Sequence, residues 1–178
     1  RDPDQLYHLT QHRLQSSPSI MGSAIAFEPN YYPEKGKFFA PYSYKNQDKI
    51  YSIQLGTQDY DYHYMDWYQI PKLLKKPYWS EPYYDQDGGN MMMTTYSFPL
   101  YDTLGNLYAI FTADLSLEWF AEKVNAIQLY PNSYNIMIGR GGAFLVHKRP
   151  EAILNETIFA SPLSLEDQDI REIGYRMI

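Results

Sequence analysis

The chain has 178 residues, of which 44% are apolar and 20% charged, and it contains no cysteine. This composition predicts a globular protein with a packed core, and the length suits one α+β domain with an added segment. The net charge of −6 and the lack of any basic run longer than two residues exclude a nucleic-acid-binding face. Without cysteine, neither a disulfide framework nor a thiolate metal site is available.

Aromatic residues are unusually frequent, at 17% of the chain with 19 Tyr. Such a share favours a recognition surface or a pocket, because Tyr and Trp combine apolar area with a polar group. No stretch approaches the ~18 apolar residues that cross a bilayer, and Arg1–Asp4 does not begin a signal peptide. We therefore expect any membrane anchor to lie outside this chain.

The first third of the chain predicts one helix followed by strands. Residues Asp4–Ser17 place Leu6, Leu9, Arg13 and Leu14 at roughly helical spacing. Three further segments have the composition of strands: Ile20–Phe27, Phe38–Tyr44 and Ile50–Leu55.

Residues Gly56–Asp87 show no sustained period, and we interpret them as a long functional loop with a short helix over Trp67–Lys75. A hairpin of Met91–Tyr101 and Leu107–Asp114 follows. Its second arm is apolar at nearly every position, which predicts a central strand that is covered on both faces.

The last third predicts a helix that Ser116 caps, with one apolar stripe over Leu117, Phe120, Ala121, Val124 and Ile127. A second hairpin of Tyr134–Ile138 and Ala143–His147 comes next, and then a final helix over Ser164–Met177 with Ser164 as its cap. This order of elements predicts an α+β fold built on one curved antiparallel sheet of about five to six strands.

Two patterns that could suggest cofactor sites have simpler explanations. His8 and His12 lie four residues apart, but no third ligand is nearby, so we expect no metal site there. The cluster Gly139–Gly142 lacks the Lys-Ser/Thr of a phosphate-binding loop and opens no helix, which favours a tight turn. We predict no cofactor.

Four segments in order resemble the signature of Cache sensor domains, the PAS-like double-Cache or PDC group: Asp66–Tyr68, Trp79–Asp85, Thr94–Asp102 and Thr112–Leu117. The similarity runs from about Ile20 to His147. The resemblance implies a PAS-like sheet on a long N-terminal helix, in the periplasmic part of an inner-membrane receptor. Receptors of this kind include histidine kinases, chemoreceptors, diguanylate cyclases and sigma-regulating phosphatases.

The resemblance also implies a division of the chain and a set of partners. Residues 1–19 would form a signalling helix, residues 20–150 a membrane-distal sensor, and residues 151–178 a linker with the start of a membrane-proximal module. The implied partners are a small-molecule ligand and a second copy of the chain, paired through the N-terminal helix.

In amino-acid-binding members of this group, an aromatic pair like Trp67-Tyr68 walls the pocket. Residues in the places of Tyr83, Asp85 and Asp114 hold the ligand ammonium group. Those members carry an Arg two residues before the Trp, where this sequence has Met65, and a thioether cannot replace a bidentate guanidinium. We therefore predict an amine or another small polar cationic ligand, bound by Met65, Trp67, Tyr68, Tyr83, Asp85, Tyr96 and Asp114.

Structural roles compete with this hypothesis. Asp114 precedes the helix at Ser116 and would cap it, while Asp85 would shape the turn over Tyr84–Gly89. Trp67 would belong to the core. These alternatives stay open on the sequence alone.

Two other functions also compete. A glycosidase would use paired acids such as Asp59, Asp61 and Asp66, but these lie in one loop, and no Gly-x-Ser-x-Gly motif occurs. A secreted carbohydrate-binding module would display aromatics at every second position of one sheet face. The aromatics here concentrate before the central hairpin, which favours an enclosed site on a non-catalytic sensor.

Overall fold

The computed structural model describes residues 3–85, 91–160 and 168–178. The chain divides into two compact units, Arg1–Ser116 and Leu117–Ile178. The turn predicted after Asp85 and the predicted cap Ser164 lie outside the described residues. The predicted division at residues 19 and 150 concerns signalling segments and stays a prediction.

The first unit is an antiparallel sheet with two helices. Among the described residues the sheet has seven strands in the order β3-β2-β1-β7-β6-β4, and β5 also pairs with β6. This arrangement confirms the predicted α+β fold with an N-terminal helix. The elements are α1 (Gln5–Ser16), β1 (Gly22–Phe27), β2 (Pro41–Asn46), β3 (Lys49–Gln54), α2 (Asp66–Leu74), β4 (Tyr78–Trp79), β5 (Tyr83–Asp85), β6 (Met91–Tyr101) and β7 (Leu107–Ser116).

Strand β7 lies between β1 and β6, and both of its faces are covered, as the sequence predicts. On one face Ile110 packs in a core cluster with Trp67 of α2. On the other face Ala113 packs with Leu14 of α1. Because side chains alternate along a strand, Asp114 projects on the same side as Ile110, towards α2.

Helix α1 contacts the sheet through hydroxyl groups as well as apolar side chains. Thr10 is fully buried and its Oγ1 lies 2.7 Å from Ser43 Oγ on β2. The side chain of Gln11 donates to Ser52 on β3 at 2.9 Å. The predicted helix face included Leu9, and this is wrong: Leu9 is 58% exposed, because Thr10 takes the sheet-facing position one turn before Leu14.

The segment predicted as a long loop contains two short strands beside its helix. Tyr78 on β4 pairs with Ser97, and Tyr83 on β5 pairs with Met93, so both strands extend the sheet from β6. The prediction of a loop is wrong there because strands of two and three residues are too short to show an alternating pattern. The predicted helix is confirmed within one residue at each end.

The second unit contains α3 (Leu117–Asn125), the hairpin strands β8 (Met137–Ile138) and β9 (Phe144–Val146), and α4 (Gln168–Met177). The N–H of Gly142 donates to the carbonyl of Gly139 at 3.0 Å, which confirms the tight turn. Ile127 lies beyond the end of α3 and is 57% exposed, so the predicted stripe is one turn too long. Across the described residues, no helix combines the length and apolarity of a membrane span.

Candidate ligand-binding site

Two neighbouring cavities lie in the first unit, and we call them the inner and outer cavity. The inner cavity has a volume of about 20 Å³, which is room for about one water molecule. The outer cavity is larger, at about 530 Å³. Four residues line both cavities: Tyr60, Trp67, Tyr83 and Asp85.

The floor of the inner cavity is polar and comes from the two central strands. Asp114 on β7 is only 4% exposed, and its Oδ1 accepts a hydrogen bond from Thr95 Oγ1 at 2.9 Å. Tyr83 Oη lies 2.6 Å from the same Thr95 oxygen. Because Thr95 gives its single hydroxyl hydrogen to Asp114, Tyr83 donates to Thr95. The result is a directed chain of hydrogen bonds that ends on the Asp114 carboxylate.

The environment of Asp114 opposes its ionisation. Burial raises the pKa of Asp114 from 3.8 to about 7, and the negative charge of Asp85 acts in the same direction. Hydrogen bonds from Thr95 and Tyr42 lower the pKa of Asp114 and offset part of that rise. A positive charge in the inner cavity would therefore relieve an unfavourable state of this carboxylate.

Tyr42 on β2 lies beside both acids. Its single hydroxyl hydrogen is within reach of both: the oxygen lies 3.5 Å from Asp85 Oδ2, and a hydrogen bond from Tyr42 also lowers the pKa of Asp114. Burial raises the pKa of Tyr42 well above its ordinary value, and the charges of Asp114 and Asp85 raise it further, so the phenol stays neutral. A Cβ at Gly22 would lie 2.4 Å from both Tyr42 Oη and Asp114 Oδ2. Only glycine at that position leaves room for the two groups.

Buried tyrosines fix the segment that carries the outer wall. Tyr62 donates to the carbonyl of Phe27 at 2.8 Å, and Tyr68 donates to Glu28 Oε1 at 2.7 Å. Lys72 forms an ion pair with the same Glu28 carboxylate at 2.7 Å. Helix α2 is thereby tied to the end of β1, with Trp67 held over the sheet.

The structure brings five of the seven predicted ligand-binding residues to the cavities. Asp114 lines the inner cavity, Met65 lines the outer one, and both cavities share Trp67, Tyr83 and Asp85. Their contact with a ligand stays a prediction.

The other two predicted residues lie outside the cavity linings. Tyr68 is fully buried in the core with its hydroxyl on Glu28. The ring of Tyr96 packs against that of Trp79, with centroids 5.0 Å apart and the ring planes tilted by 51°. Since Tyr96 follows Thr95 on β6, its side chain projects from the opposite face of the sheet.

Several residues that line the cavities were not predicted from the sequence to belong to the site. Tyr42, Thr95 and Thr112 line the inner cavity, and Glu81 lines the outer one. Thr95 is the directly paired neighbour of Asp114 in the β6–β7 register, and Tyr42 comes from a strand two places away from β7. The alternation of β6 could have indicated Thr95 once the hairpin register was known. Within the described residues, no three His, Asp or Glu side chains form a group that could hold a metal ion.

Comparison with solved structures places the chain among extracellular sensor domains. The extracellular domain of mmHK1S-Z3, named as a histidine kinase, is 25% identical with a TM-score of 0.75, over 96% of this chain and 66% of that one. The corresponding domain of soHK1S-Z6 is 26% identical with a TM-score of 0.74, over 98% and 64%. This chain therefore spans slightly less than two thirds of those domains.

A more distant neighbour has a ligand. The ligand-binding domain of the Pseudomonas aeruginosa amino acid chemoreceptor PctB, in complex with L-Gln, is 16% identical with a TM-score of 0.61, over 89% of this chain and 58% of that one. This likeness shows a shared fold. A search of curated protein sequences found no match.

The sequence profile of methyl-accepting chemotaxis protein-like first PDC sensor domains matches residues 6–122, which is more than half of the chain. Domains of this kind are ligand-binding parts of receptors rather than enzymes, and the structural neighbours are extracellular. The predicted extracytoplasmic, non-catalytic sensor is thereby confirmed. The chain belongs to the family of methyl-accepting chemotaxis protein-like first PDC sensor domains.

Proposed function

We propose that this sensor domain binds a small molecule through an ammonium group held by Asp114 and Asp85. The observation that carries the proposal is the Asp114 carboxylate, which is 4% exposed and forms part of a cavity wall. A buried carboxylate is costly unless a cation or several donors satisfy it. Thr95 and Tyr42 supply donors but no charge, so an ammonium group would complete the site.

The walls of the cavity suit a cation as well. Trp67, Tyr83, Tyr60 and Tyr42 line the inner cavity around the two acids. Trp and Tyr faces attract ammonium groups by about 0.5–2 kcal/mol for each well-placed ring. An ammonium ligand would therefore gain from the rings and from the carboxylates together.

Distant neighbours support an ammonium-bearing ligand. PctB was solved with L-Gln and with L-Arg, and CtaA of Pseudomonas fluorescens with L-isoleucine. Each of these ligands carries an α-ammonium group. In this chain the residues that would hold such a group are Asp114, Asp85 and Tyr83.

The size of the inner cavity implies that binding is coupled to motion. About 20 Å³ does not hold an organic ligand, so the ammonium group must enter from the outer cavity while the wall around Trp67 and Tyr83 shifts. A ligand drives such a change only through its different affinities for the two arrangements. We propose that the movement of this wall is the conformational change that the receptor transmits as its signal.

Ligand-induced thermal stabilisation tests the proposal. The wild-type domain should be stabilised by millimolar primary amines, and Asp114→Asn should lose that stabilisation while it stays folded. Asp48→Asn is the matched control, because Asp48 is exposed in the β2–β3 turn and lines neither cavity. Equal stabilisation of wild type and Asp114→Asn would remove Asp114 from the site.

We further propose that α1 pairs two copies of the domain in a membrane receptor of the chemoreceptor or histidine kinase type. This pairing follows from the resemblance to PDC receptors, and Leu9, which is 58% exposed, lies on the side of α1 where a partner helix would pack. Light scattering on wild type and Leu9→Glu tests it. A wild-type dimer that Leu9→Glu converts to a monomer is expected, and a monomeric wild type would contradict it.

A further inference from the structure

The charges around the two cavities have one sign. Four carboxylates contribute to the linings: Asp66 and Glu81 in the outer cavity, Asp114 in the inner cavity and Asp85 in both. Among the described lining residues, none is Lys, Arg or His. Residues 86–90, which follow Asp85 in the sequence, also include no basic residue.

The lysines on the neighbouring segments line neither cavity: Lys75 and Lys76 at the end of α2 are exposed, and two others are engaged by acids. Lys37 pairs with Asp61, and Lys72 pairs with Glu28. Moving either lysine into the outer cavity would break an existing ion pair. The site therefore has acceptors for a ligand cation and no charged donor for a ligand anion.

A carboxylate on the ligand would be disfavoured in this environment. It would meet the exposed charges of Asp66 and Glu81 at the outer cavity, and the repulsion would strengthen towards the buried Asp114, where the effective dielectric is lower than that of water. Met65, which lines the outer cavity and packs against the core cluster, offers only an uncharged thioether. Tyr83, which lines both cavities, already gives its hydrogen to Thr95.

We infer that the cavity selects organic cations that lack a carboxylate, so that amines bind in preference to the α-amino acids from which they differ by that one group. Met65, Asp66 and Glu81 are the residues that set this specificity. The inference rests on the proposed ammonium site and adds the exclusion of the anion.

Titration calorimetry with matched probes tests the inference. We compare 2-phenylethylamine with L-phenylalanine, and 1,5-diaminopentane with L-lysine, at 150 mM salt. Each amine should bind at least tenfold more tightly than its amino acid. L-phenylalanine amide keeps the bulk without the negative charge, and it should bind within threefold of 2-phenylethylamine.

Two variants separate charge from shape. Met65→Arg adds a cation to the outer cavity and should reduce the ratio of amine affinity to amino acid affinity at least fivefold. The similarly sized but uncharged Met65→Gln should leave this ratio unchanged. If Met65→Arg does not fold, the double variant Asp66→Asn/Glu81→Gln keeps the test, because both side chains are exposed. It should also narrow the preference, and Asp48→Asn should leave it unchanged.

The outcomes distinguish the two proposals. The exclusion of carboxylates would be overturned if the amino acids bind as tightly as the amines. It would also be overturned if L-phenylalanine amide binds as weakly as L-phenylalanine. Either result would leave the ammonium site intact. Failure of both amines and amino acids to bind, or binding that Asp114→Asn does not weaken, would overturn the ammonium site and the exclusion with it.

Discussion

Thr95 and Asp114 face each other across the β6–β7 ladder, and the Thr95 hydroxyl donates to Asp114 Oδ1 at 2.9 Å. On the other side of β7, Gly22 of β1 is the direct partner of Asp114. Three residues in one row across the sheet therefore have separate roles. Asp114 is the acid, Thr95 is its hydrogen-bond donor, and Gly22 leaves the space that a Cβ would fill. The register of three strands, rather than any single motif, builds the floor of the cavity.

Replacing Thr95 with Val tests the hydrogen-bond chain. Valine keeps the shape of the side chain but cannot donate to Asp114, and the hydroxyl of Tyr83 loses its acceptor as well. The bond from Thr95 to Asp114 exists before a ligand binds, and it strengthens by about 1–1.5 kcal/mol when Asp114 becomes ionised beside an ammonium group, so the affinity for an amine should fall by roughly 5- to 10-fold. Calorimetry with 2-phenylethylamine measures the loss.

The matched control for Thr95 is Ser97, two residues further along the same strand face. Ser97 is fully buried, and its Oγ has no hydrogen-bond partner among the described residues. Ser97→Ala should leave amine affinity within twofold and raise stability by about 1 kcal/mol, because a desolvated hydroxyl is removed. Equal losses of affinity in Thr95→Val and Ser97→Ala would contradict the assigned role of Thr95.

The pKa of Asp114 predicts a pH dependence of the ligand-free domain. Folding raises this pKa from 3.8 to about 7, so the folded state favours the protonated acid. Its contribution to stability is complete below pH 4 and is lost as the pH rises through 7. At about 1.4 kcal/mol per pKa unit, the loss is of the order of 4 kcal/mol.

Urea denaturation at pH 5 and pH 8 measures this dependence. Wild type should lose stability between the two, and Asp114→Asn should lose much less. Asp61 and Asp102 do not interfere, because hydrogen bonds lower the pKa of each and their contributions disappear only in more acidic solution. If both proteins lose the same stability between pH 5 and pH 8, Asp114 is already ionised in the folded state at pH 5. Amine affinity should rise over the same pH range, since an ammonium group favours the carboxylate.

The sequence predicted the parts of the fold that repeat a pattern over many residues. Strands β6 and β7 and helix α2 fall close to their predicted bounds. Strands β4 and β5 were missed because each is too short to show a period. The predicted sheet-facing side of α1 was wrong at Leu9, because the polar Thr10 is buried there instead. Its hydroxyl forms a hydrogen bond with Ser43, and the spacing of apolar residues does not reveal such a contact.

The candidate site was predictable only where the chain itself brings residues close together. Asp85 is the last residue of β5, and Asp114 lies two residues before the end of β7. Strand pairing, which the sequence does not reveal, brings Tyr42 to the cavity and Gly22 to the side of Asp114. Tyr68 illustrates the reverse error, since it follows Trp67 in the chain but points into the core. Neighbours on a helix project about 100° apart, so an adjacent pair seldom serves one pocket.

Gly22→Ala tests the close approach beneath the acids. The added methyl group would lie 2.4 Å from Asp114 Oδ2 and 2.9 Å from the ring of Tyr42, so at least one of these groups must move. We expect a lower melting temperature and an amine affinity reduced at least tenfold. Gly141→Ala is the control, because a Cβ there meets no atom within 4 Å, and it should melt like wild type. An unchanged affinity in Gly22→Ala would show that the cavity floor tolerates the methyl group.

Removing single hydroxyl groups from Tyr68 and Tyr83 separates a structural tyrosine from a ligand-binding one. Tyr68→Phe loses the hydrogen bond to Glu28, which is 2.7 Å long and accepted by a carboxylate. It should cost about 1.5–3 kcal/mol of stability and leave amine affinity within twofold, because Tyr68 lines neither cavity. Tyr83→Phe should instead weaken amine binding severalfold, since Tyr83 lines both cavities and orders the donor to Asp114. Chemical denaturation measures the stability of both variants, and calorimetry measures their affinity for an amine. A loss of affinity in Tyr68→Phe rather than in Tyr83→Phe would contradict the roles assigned to the two tyrosines.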